Sequence, residues 1–586
     1  SDIGIVAKNI TFVNGYDGNT TNPISLADYW VYSYSPASNG RSNWLHKYKD
    51  GILKATDGFI FKGPGVAQNY TFVGTPKDGD LIANPTIGAN ESYLTGNPFS
   101  SAISVKKFIE DNINSTTATL YFWEHVGEEN STGLTSGHNY AGYIGGYATR
   151  NIALGLSANS PTLSGVFDIT LEAENAYIQG NIVLNGGENV VILNSLTNFV
   201  EFKNIIRGVD VLKINYKSDV TKSIKIKINN NEIGNYILPV STNYVTHDIV
   251  VCVEAGSDVQ ILSNDSNTAY INHLQLQDAD GNISCAPSSG GSSANTVPEP
   301  YIPIGQGFFI QGDTDGGPIV FNNSQREFKT EGAGTSVFFK ENSSKKQKST
   351  FNLPVVKLGL DFINKEGNSI HRQLGISFNS NNSFAFDKGY DSEIYDLGTT
   401  DVYWKFPNDN LKYVIAGVQE ISDDLEVPLN IIMDYEGCIV IQIDEIKNIE
   451  KDIFIKDKLT NKSYLLNNNT IGLQLNKGVY SDRFLLTFKK TVLSIDDIEN
   501  QIQNNKISVY LDKSQNELVI HNHSNLQIQK VELFSILGKK IYNWKVIDNT
   551  TEKRLKIKKA LSNTIYLVNV LTDKNTISKK IYYKYK

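Results

Sequence analysis

Apolar and polar residues alternate along most of this chain, which is the pattern expected of β-strands with one buried face. Near the C terminus the alternation is clearest in Lys506–Leu511, Glu517–Ile520, Val531–Phe534 and Ile565–Val570. Asn, Asp, Ser and Gly, which favour turns, separate these runs. The pattern predicts a small antiparallel β-sandwich over residues 496–586, in which Gly538 suits a tight turn.

Helical periodicity is rare in the rest of the sequence. We expect one helix over Ile103–Asn112, because Val105, Phe108 and Ile109 would share one face of it. A shorter helical pattern covers Asp496–Gln503. The chain is therefore predicted to be all-β, with several β-sandwich or jelly-roll domains in tandem and one inserted within another.

A phrase of the form Gly-Phe-apolar-apolar-polar-Gly occurs twice, in Asp57–Gly65 and again in Gly305–Gly312. A short aromatic strand follows each copy, so we interpret the two as equivalent hairpins of one β-sandwich. On this interpretation, residues 1–165 and 298–340 form a single domain that is split by the residues between them.

The interruption, residues 166–284, is predicted to be a domain of its own, because several short strands recur in it at regular spacing. These strands are Ile169–Asn175, Asn198–Phe202, Val211–Tyr216, Ser223–Ile228, Thr246–Val253, Val259–Leu262 and Ile271–Leu276. Their number and spacing predict a jelly-roll sandwich. A Ser/Gly linker, 285–297, follows it, and a second β-sandwich is expected over 341–490.

Charge is distributed unevenly along the chain. From Thr491 onward there are 16 Lys/Arg and 9 Asp/Glu, a balance of +7, whereas the whole chain carries −8, so the residues before Thr491 carry −15. A compact basic module on an acidic body indicates a separate functional unit. The acidic total argues against a nucleic-acid partner, and no apolar run approaches the length of a membrane span.

Candidate catalytic chemistry is sparse. The eight His residues are scattered, and Glu124 beside His125 could be an acid/base pair or part of an ordinary strand. No catalytic constellation emerges, so we do not expect an enzyme. Of the three cysteines, Cys252 and Cys285 could form a disulfide or remain thiols, and Cys438 has no companion motif.

The terminal residues resemble the C-terminal sorting domain of type IX secretion substrates. The residues that carry the resemblance are a strand, the turn after it and a lysine-rich end: Val531, Leu533, Phe534, Leu537, Gly538, Lys539, Lys540, Lys579 and Lys580. The resemblance implies that residues 496–586 are a folded export signal, read by the outer-membrane translocon and its shuttle protein. It also implies a secreted, cell-surface protein that is associated with the outer membrane during export.

Five further stretches resemble a module that recurs upstream of such sorting domains in large surface proteins. They are Leu94–Ala102, Leu120–His125, Gly142–Ala148, Tyr301–Phe309 and Asn322–Arg326. This likeness implies a location and no reaction. Because export requires a leader and none follows Ser1, we also expect the chain to be a processed or truncated piece.

The insert resembles family 6 carbohydrate-binding modules, through its Glu-Ala-Glu-Asn opening and its Ile-Asn-His-Leu ending. That resemblance implies a structural calcium near Glu172 and Glu174, with Asn272 where the family has an Asp. It also implies a sugar ligand, for which the nearest positions are Tyr244 for stacking and Asn267 for hydrogen bonding. No other cofactor is expected.

Together these features predict a surface protein exported by type IX secretion that acts in adhesion, gliding or glycan binding. Its partners would be the secretion machinery, a surface adhesin and a glycan. Two alternatives remain: the non-catalytic part of a polysaccharide-degrading enzyme, and a structural accessory subunit of a surface adhesin.

Overall fold

The computed structural model describes residues 11–16, 18–19, 25–35, 43–63, 75–127, 143–161, 167–206, 208–278, 297–329, 353–364, 369–467, 469–489, 507–512, 515–522, 527–535, 540–548, 550–558, 561, 564–573 and 576–583. The chain divides into two compact units. The first holds 1–181 and 190–490, and the second holds 182–189 and 491–586.

Short strands make up the N-terminal region: β1 Thr11–Val13, β2 Ser25–Ala27, β3 Tyr32–Tyr34, β4 Trp44–His46, β5 Phe59–Ile60, β6 Leu81–Ile82, β7 Ser92–Gly96, β8 Ala102–Ser104, β9 Leu120–Gly127, β10 Tyr143–Arg150, β11 Gly155–Leu156 and β12 Ser160–Pro161. The helix of this region is α1, Val105–Asp111. Ser104 caps α1, and its buried residues are Val105, Phe108 and Ile109, so the predicted helix and its inward face are confirmed. The second predicted helix, 496–503, lies outside the described residues.

Strands from both sides of the insert share one sheet in this region. After the insert come β24 Tyr301–Ile302, β25 Gly307–Gln311, β26 Val320–Phe321 and β27 Arg326–Glu327. Strand β25 lies between β9 and β7 in a five-stranded sheet of order β11-β10-β9-β25-β7. The division of the chain into domains stays a prediction, but these pairings join the two flanking segments through backbone hydrogen bonds.

The two copies of the Gly-Phe phrase occupy different positions, so the prediction of equivalent hairpins is wrong for their described strands. The second copy supplies β25, whose Phe308, Phe309 and Ile310 are buried. The first supplies β5, a two-residue strand that pairs with β3 in a different sheet. In β5 Phe59 is half-buried and Ile60 is exposed, because this strand lies away from the centre of the main sheet.

The insert is a two-sheet sandwich. Its strands are β13 Phe167–Glu172, β14 Tyr177–Gln179, β15 Asn181–Asn185, β16 Glu188–Leu193, β17 Phe199–Phe202, β18 Val209–Ser218, β19 Lys222–Ile228, β20 Asn231–Leu238, β21 Ser241–Val253, β22 Val259–Ser263 and β23 Ala269–Asp278. One sheet has the order β14-β17-β22-β19-β20. In the other, β23 pairs with β13, β16 and β18, and β18 pairs with β21. Alternate residues of each sheet point into a shared apolar core.

The following sandwich is built from β28 Val355–Ile363, β29 Ser369–Phe378, β30 Ser392–Glu393, β31 Asp401–Trp404, β32 Tyr413–Val418, β33 Glu426–Met433, β34 Gly437–Lys447, β35 Phe454–Asp457, β36 Lys462–Leu465, β37 Ile471–Leu475 and β38 Gly478–Thr487. It continues directly from the insert, because β13 pairs in parallel with β37, Leu171 opposite Gly472. Cys438 and Val440 of β34 also belong to the insert's core. The insert is therefore packed against this sandwich along one edge.

A charged cluster lies inside the second sandwich. His371 on β29 contacts Asp361 of β28 at 2.6 Å and Asp444 of β34 at 3.0 Å. Burial alone would lower the pKa of His371, but the hydrogen bonds to these two carboxylates raise it to about 10. The imidazole is therefore a buried cation at neutral pH, which links three neighbouring strands.

The structure gives the bonding state of two of the three cysteines. Cys252 is disulfide-bonded, whereas Cys438 is a buried free thiol whose pKa is raised by burial. Cys285, the third cysteine of the chain, lies outside the described residues, as does most of the predicted linker 285–297.

The C-terminal segment folds as two antiparallel sheets around its own core. Its strands are β39 Ile507–Asp512, β40 Glu517–Asn522, β41 Ile528–Ser535, β42 Lys540–Asp548, β43 Glu552–Lys556, β44 Thr564–Thr572 and β45 Thr576–Tyr583. The sheets have the orders β39-β40-β43 and β42-β41-β44-β45. Buried residues from both sheets form one apolar cluster. With this sandwich, the all-β prediction is confirmed.

Candidate functional site

The residues of the sorting motif divide between the inside and the outside of the C-terminal sandwich. Val531 and Leu533, two positions apart on β41, are fully buried in its core. Phe534 is half-buried, and the ammonium of Lys540 lies 5.5 Å from the centre of its ring. Alternation on a strand explains the division, because successive side chains point to opposite faces. The apolar part of the motif therefore holds the fold together.

The outward side of the same strand carries charge. Glu532 lies 2.6 Å from the Nζ of Lys530 and 2.7 Å from that of Lys540. The hydrogen bonds from these two lysines lower the pKa of Glu532. On β45, burial lowers the pKa of Lys579, which lies opposite Val568. The outward face therefore carries the ammonium groups of Lys530 and Lys540, whereas Lys579 shares the inner side of its sheet with the buried Val568.

Leu537, Gly538 and Lys539 lie outside the described residues, and so does the side chain of Lys580.

Two of the predicted calcium residues, Glu172 and Glu174, lie beside the ammonium of the same lysine. Glu172 ends β13, and Glu174 lies in the short 3₁₀ turn that follows. Lys462, on β36 of the second sandwich, places its Nζ 2.8 Å from Glu172 Oε1 and 3.6 Å from Glu174 Oε1. Burial raises the pKa of Glu174 to about 7, against the opposing effect of Lys462. The two carboxylates raise the pKa of Lys462 although burial acts to lower it.

This arrangement does not fit calcium, so we correct the calcium interpretation. Calcium takes six to eight oxygen ligands, and an ammonium already neutralises these carboxylates. Asn272, on β23, is buried and supplies one amide oxygen. That Oδ1 and Glu174 Oε2 are buried without hydrogen-bond partners. In the described part of the chain no cluster of three or more His, Cys, Asp or Glu side chains could hold a metal.

The two predicted sugar residues lie in different elements of the insert, one on strand β21 and the other in the loop between β22 and β23. Tyr244 is half-buried on β21, and Asn267 lies in the loop between β22 and β23. The side-chain amide of Asn267 donates to the Thr221 carbonyl at 2.8 Å, and its backbone N–H donates to Asp265 Oδ1 at 3.0 Å. One amide donor of Asn267 is therefore committed to holding the loop.

A buried lysine that sequence reasoning missed fixes this loop. Lys222 is fully buried, and its Nζ lies near Ser263 Oγ at 2.5 Å, Asp265 Oδ1 at 2.7 Å, and the carbonyls of Asn267 and Asp265 at 2.7 and 3.0 Å. Burial would raise the pKa of Asp265, but the hydrogen bond from Lys222 holds it below its usual value. The alternation along β19 could have indicated this burial, because Lys222 occupies an inward position, in line with Ile224, Ile226 and Ile228.

Comparisons with known proteins agree with the two-part organisation. The sequence matches a family described as a domain of unknown function, DUF8693, over residues 12–233 and 242–488. Residues 508–584 match a family described as a secretion system C-terminal sorting domain. Among curated proteins none matches the chain. None of the helices in the described part of the chain has the length and apolar character needed to cross a membrane.

Several solved structures show limited similarity. The CBM36-1 domain of a multidomain xylanase from the hindgut metagenome of Trinervitermes trinervoides is 15% identical over 19% of this chain and 98% of that one, with a TM-score of 0.18. A family 6 carbohydrate-binding module is 15% identical over 19% and 93%, with a TM-score of 0.17.

The catalytic domain of a GH87 alpha-1,3-glucanase is 11% identical over 22% of this chain, with a TM-score of 0.18, and the match spans 30% of the glucanase chain. At these scores we take no functional argument from the solved structures. The two family matches do support an assignment, because one covers residues 12–233 and 242–488 and the other covers residues 508–584. The chain thus belongs to the DUF8693 family of unknown function, and its C-terminal sorting domain marks it as a type IX secretion substrate exported to the cell surface.

Proposed function

We propose that this chain is a surface glycan-binding or adhesion protein, delivered by the type IX translocon and its shuttle protein, which read its tail. The observation that carries the proposal is the self-contained core of residues 507–581, which folds beneath a lysine-bearing surface. A receptor can recognise such a surface as one rigid shape.

An export experiment tests the first part of this proposal. In the producing bacterium, deletion of residues 496–586 should leave the protein in the periplasm, whereas the full chain reaches the cell surface. Fractionation followed by immunoblotting measures the two pools. Undiminished surface display of the truncated chain would reject the tail as the export signal. Crosslinking of the tail to the translocon or the shuttle protein during export would identify its receptor.

Glycan binding is the second part of the proposal, and the insert supports it. Its loop between β22 and β23 is held by Lys222, Asp265 and Asn267, so polar groups at that end of the sandwich are preorganised. Tyr244 supplies an aromatic ring on β21, and aromatic faces pair well with the C–H face of a pyranose. A ligand site of this kind suits a surface adhesin.

A polysaccharide-binding assay tests the second part. The purified full chain should bind at least one soluble polysaccharide, and Tyr244→Ala should weaken that binding. Silence on a glycan array, together with a stable co-purifying adhesin, would favour a structural accessory subunit instead. Hydrolysis of the polysaccharide by this chain would replace the proposal with an enzymatic function.

A further inference from the structure

An aromatic stripe runs along one face of the hairpin β3–β4 in the N-terminal region. Tyr32 and Tyr34 are two residues apart on β3, so both point to the same side. The register pairs Tyr32 with His46 and Tyr34 with Trp44. Four rings from two strands therefore lie in one row.

One end of this stripe is anchored in the protein interior. Tyr34 and Trp44 meet each other edge-on at 5.1 Å, and both contact Phe309 edge-on, at 5.3 and 6.1 Å. Phe309 is buried together with Leu94 and Tyr121. The anchored end fixes the direction in which the rest of the row points.

The other end of the stripe opens to solvent. Tyr32 and His46 stack in parallel, with centroids 4.4 Å apart and an interplanar angle of 5°. Tyr29 packs edge-on against His46 at 4.7 Å, and Tyr16 lies 4.4 Å from Tyr29. Tyr48 covers His46 at 3.4 Å. We name Tyr16, Tyr29, Tyr32, His46 and Tyr48 the aromatic platform; Tyr16 is 54% exposed and Tyr48 49% exposed.

Polar groups accompany these rings. Burial and a hydrogen bond with Tyr29 raise the pKa of Tyr32 to about 12, so its phenol stays protonated at physiological pH. The Nε2 atom of His46 is shielded from solvent and has no hydrogen-bond partner. Ring faces beside hydroxyl and imidazole groups offer both parts of sugar recognition, which are stacking and hydrogen bonding.

The charges nearby argue against a cationic ligand. Lys62 places its Nζ 5.9 Å from the centre of the Trp30 ring, and Trp30 adjoins the platform by donating its Nε1–H to the Tyr16 carbonyl at 2.7 Å. Lys49, next to Tyr48 in sequence, pairs with Asp50 at 2.9 Å. A neutral or acidic ligand suits this surface better than another ammonium group would.

The backbone conformation of Tyr48 is strained. Tyr48 has φ of +51°, a left-handed conformation that bulky residues rarely adopt. Ten non-glycine residues in the described part of the chain have positive φ, and seven of them are Asn. Asn would adopt the same conformation in this exposed turn with less strain. The turn therefore carries an aromatic ring at a position where a residue without one would be less strained.

We propose that the aromatic platform is a saccharide-binding site that stacks a neutral or acidic pyranose of a polysaccharide on Tyr16 and Tyr48. The phenols of Tyr29 and Tyr32 then hydrogen-bond the sugar hydroxyls, while His46, packed against Tyr32 and Tyr48, holds the rings in position. This inference rests on the proposed glycan-binding function and assigns it a second site, distant in sequence from Tyr244 and Asn267.

Affinity electrophoresis of the folded full chain tests the assignment, with gels that contain xylan, mannan, laminarin or alginate. At least one polysaccharide should retard the wild-type chain. The double variant Tyr16→Ala/Tyr48→Ala should bind that polysaccharide roughly tenfold more weakly, a loss of about 1.4 kcal/mol, because it removes both stacking rings. Tyr48→Phe keeps the ring and should bind like the wild type.

Tyr510→Ala is the matched control, since it removes a ring that is 43% exposed in the C-terminal sandwich. It should leave retardation unchanged. If the double variant binds like the wild type while Tyr244→Ala loses binding, the platform assignment is wrong and the proposed function stands. If no polysaccharide retards the wild-type chain, the glycan-binding function fails, and the assignment fails with it. Circular dichroism of each variant confirms that the fold is intact.

Discussion

At the residue scale, backbone conformation and side-chain chemistry conflict at Tyr48. Its left-handed φ is compatible with Asn, Asp or Gly, yet the position carries a bulky ring that packs on His46. Strain of this kind typically costs 1–3 kcal/mol. Replacement by a residue that tolerates the conformation should therefore reveal the cost.

We predict that Tyr48→Asn raises the free energy of unfolding by about 1 kcal/mol, because Asn adopts positive φ with less strain. Chemical denaturation of the full chain measures the change. Tyr177→Asn is the control: it removes a ring that is 53% exposed on β14, and it should not stabilise the protein. Equal stabilisation by both substitutions would show that loss of the ring, and not relief of strain, is responsible.

His371 is a second residue whose chemistry has a measurable consequence. Its pKa is raised to about 10 by hydrogen bonds to Asp361 and Asp444, whereas the unfolded value is 6.5. Since the folded state holds the proton more tightly, the stabilisation is fully present below pH 6.5 and is lost as the pH rises toward 10.

His371→Gln should therefore cost about 3 kcal/mol at pH 6 and less at pH 9, because it leaves the buried carboxylate of Asp361 and its neighbour Asp444 without their cation. Urea denaturation at both pH values gives the difference between wild type and variant. His521→Gln, on an exposed face of the C-terminal sandwich, is the control and should show little effect. A cost for His371→Gln that grows with pH would contradict the assigned protonation.

At the element scale, strand pairing joins the insert to the second sandwich. Strand β37 lies beside β13, and Gly472 faces Leu171 across the pair. A Cβ at Gly472 would collide with the side chain of Leu171 and approach Ile169 Cγ2 at 3.0 Å. The close approach of the two strands therefore requires glycine at this position.

We expect Gly472→Ala to destabilise the protein by about 2 kcal/mol through overpacking. Gly478→Ala is the matched control at the start of β38, because a Cβ there would meet nothing within 4 Å. Thermal unfolding of both variants checks the difference. Similar melting temperatures for the two would mean that β13 and β37 can separate without cost.

The ammonium of Lys462 provides the second link between these elements. It supplies the positive charge that a metal would otherwise give to Glu172 and Glu174. Its removal would leave the two neighbouring carboxylates without a cation, and Glu174 Oε2 is already buried without a hydrogen-bond partner.

Lys462→Ala should lower the free energy of unfolding by about 2 kcal/mol, and added calcium should restore part of the loss. The wild-type melting temperature should not respond to calcium. Lys451→Ala removes an exposed pair with Asp423 and should leave stability nearly unchanged, with or without calcium. Calcium stabilisation of the wild type would overturn our correction of the metal site.

At the scale of the whole molecule, the tail has a hydrophobic core of its own. Leu533 is fully buried in this core, whereas Leu567, on the neighbouring strand β44, is 38% exposed. If the export signal is a folded shape, its reading should depend on this core and not on the motif residues as a linear string.

Leu533→Ala should cost about 3 kcal/mol of tail stability, a large fraction of what a small domain possesses, and it should lower the exported share of the protein. Leu567→Ala should leave export near the wild-type level. Surface immunoblotting compares the two. Equal export of both variants would indicate that the secretion machinery reads an unfolded sequence.

The sequence by itself determined the features that depend on local pattern. Alternation predicted the β-strands of the tail, and the spacing of Val105, Phe108 and Ile109 predicted helix α1, because side-chain periodicity follows from backbone geometry. The export signal was also readable, since its residues are contiguous in the chain. Only the tertiary structure decided which residues far apart in sequence are in contact.

Lys462 neutralises Glu172 from 290 positions away, and Phe309 anchors Tyr34 and Trp44 from the far side of the insert. Local pattern cannot encode such pairings, because they depend on which strands become neighbours when the apolar faces are buried. The same reason explains the aromatic platform, because folding alone decided which of these rings became neighbours and which of them face solvent.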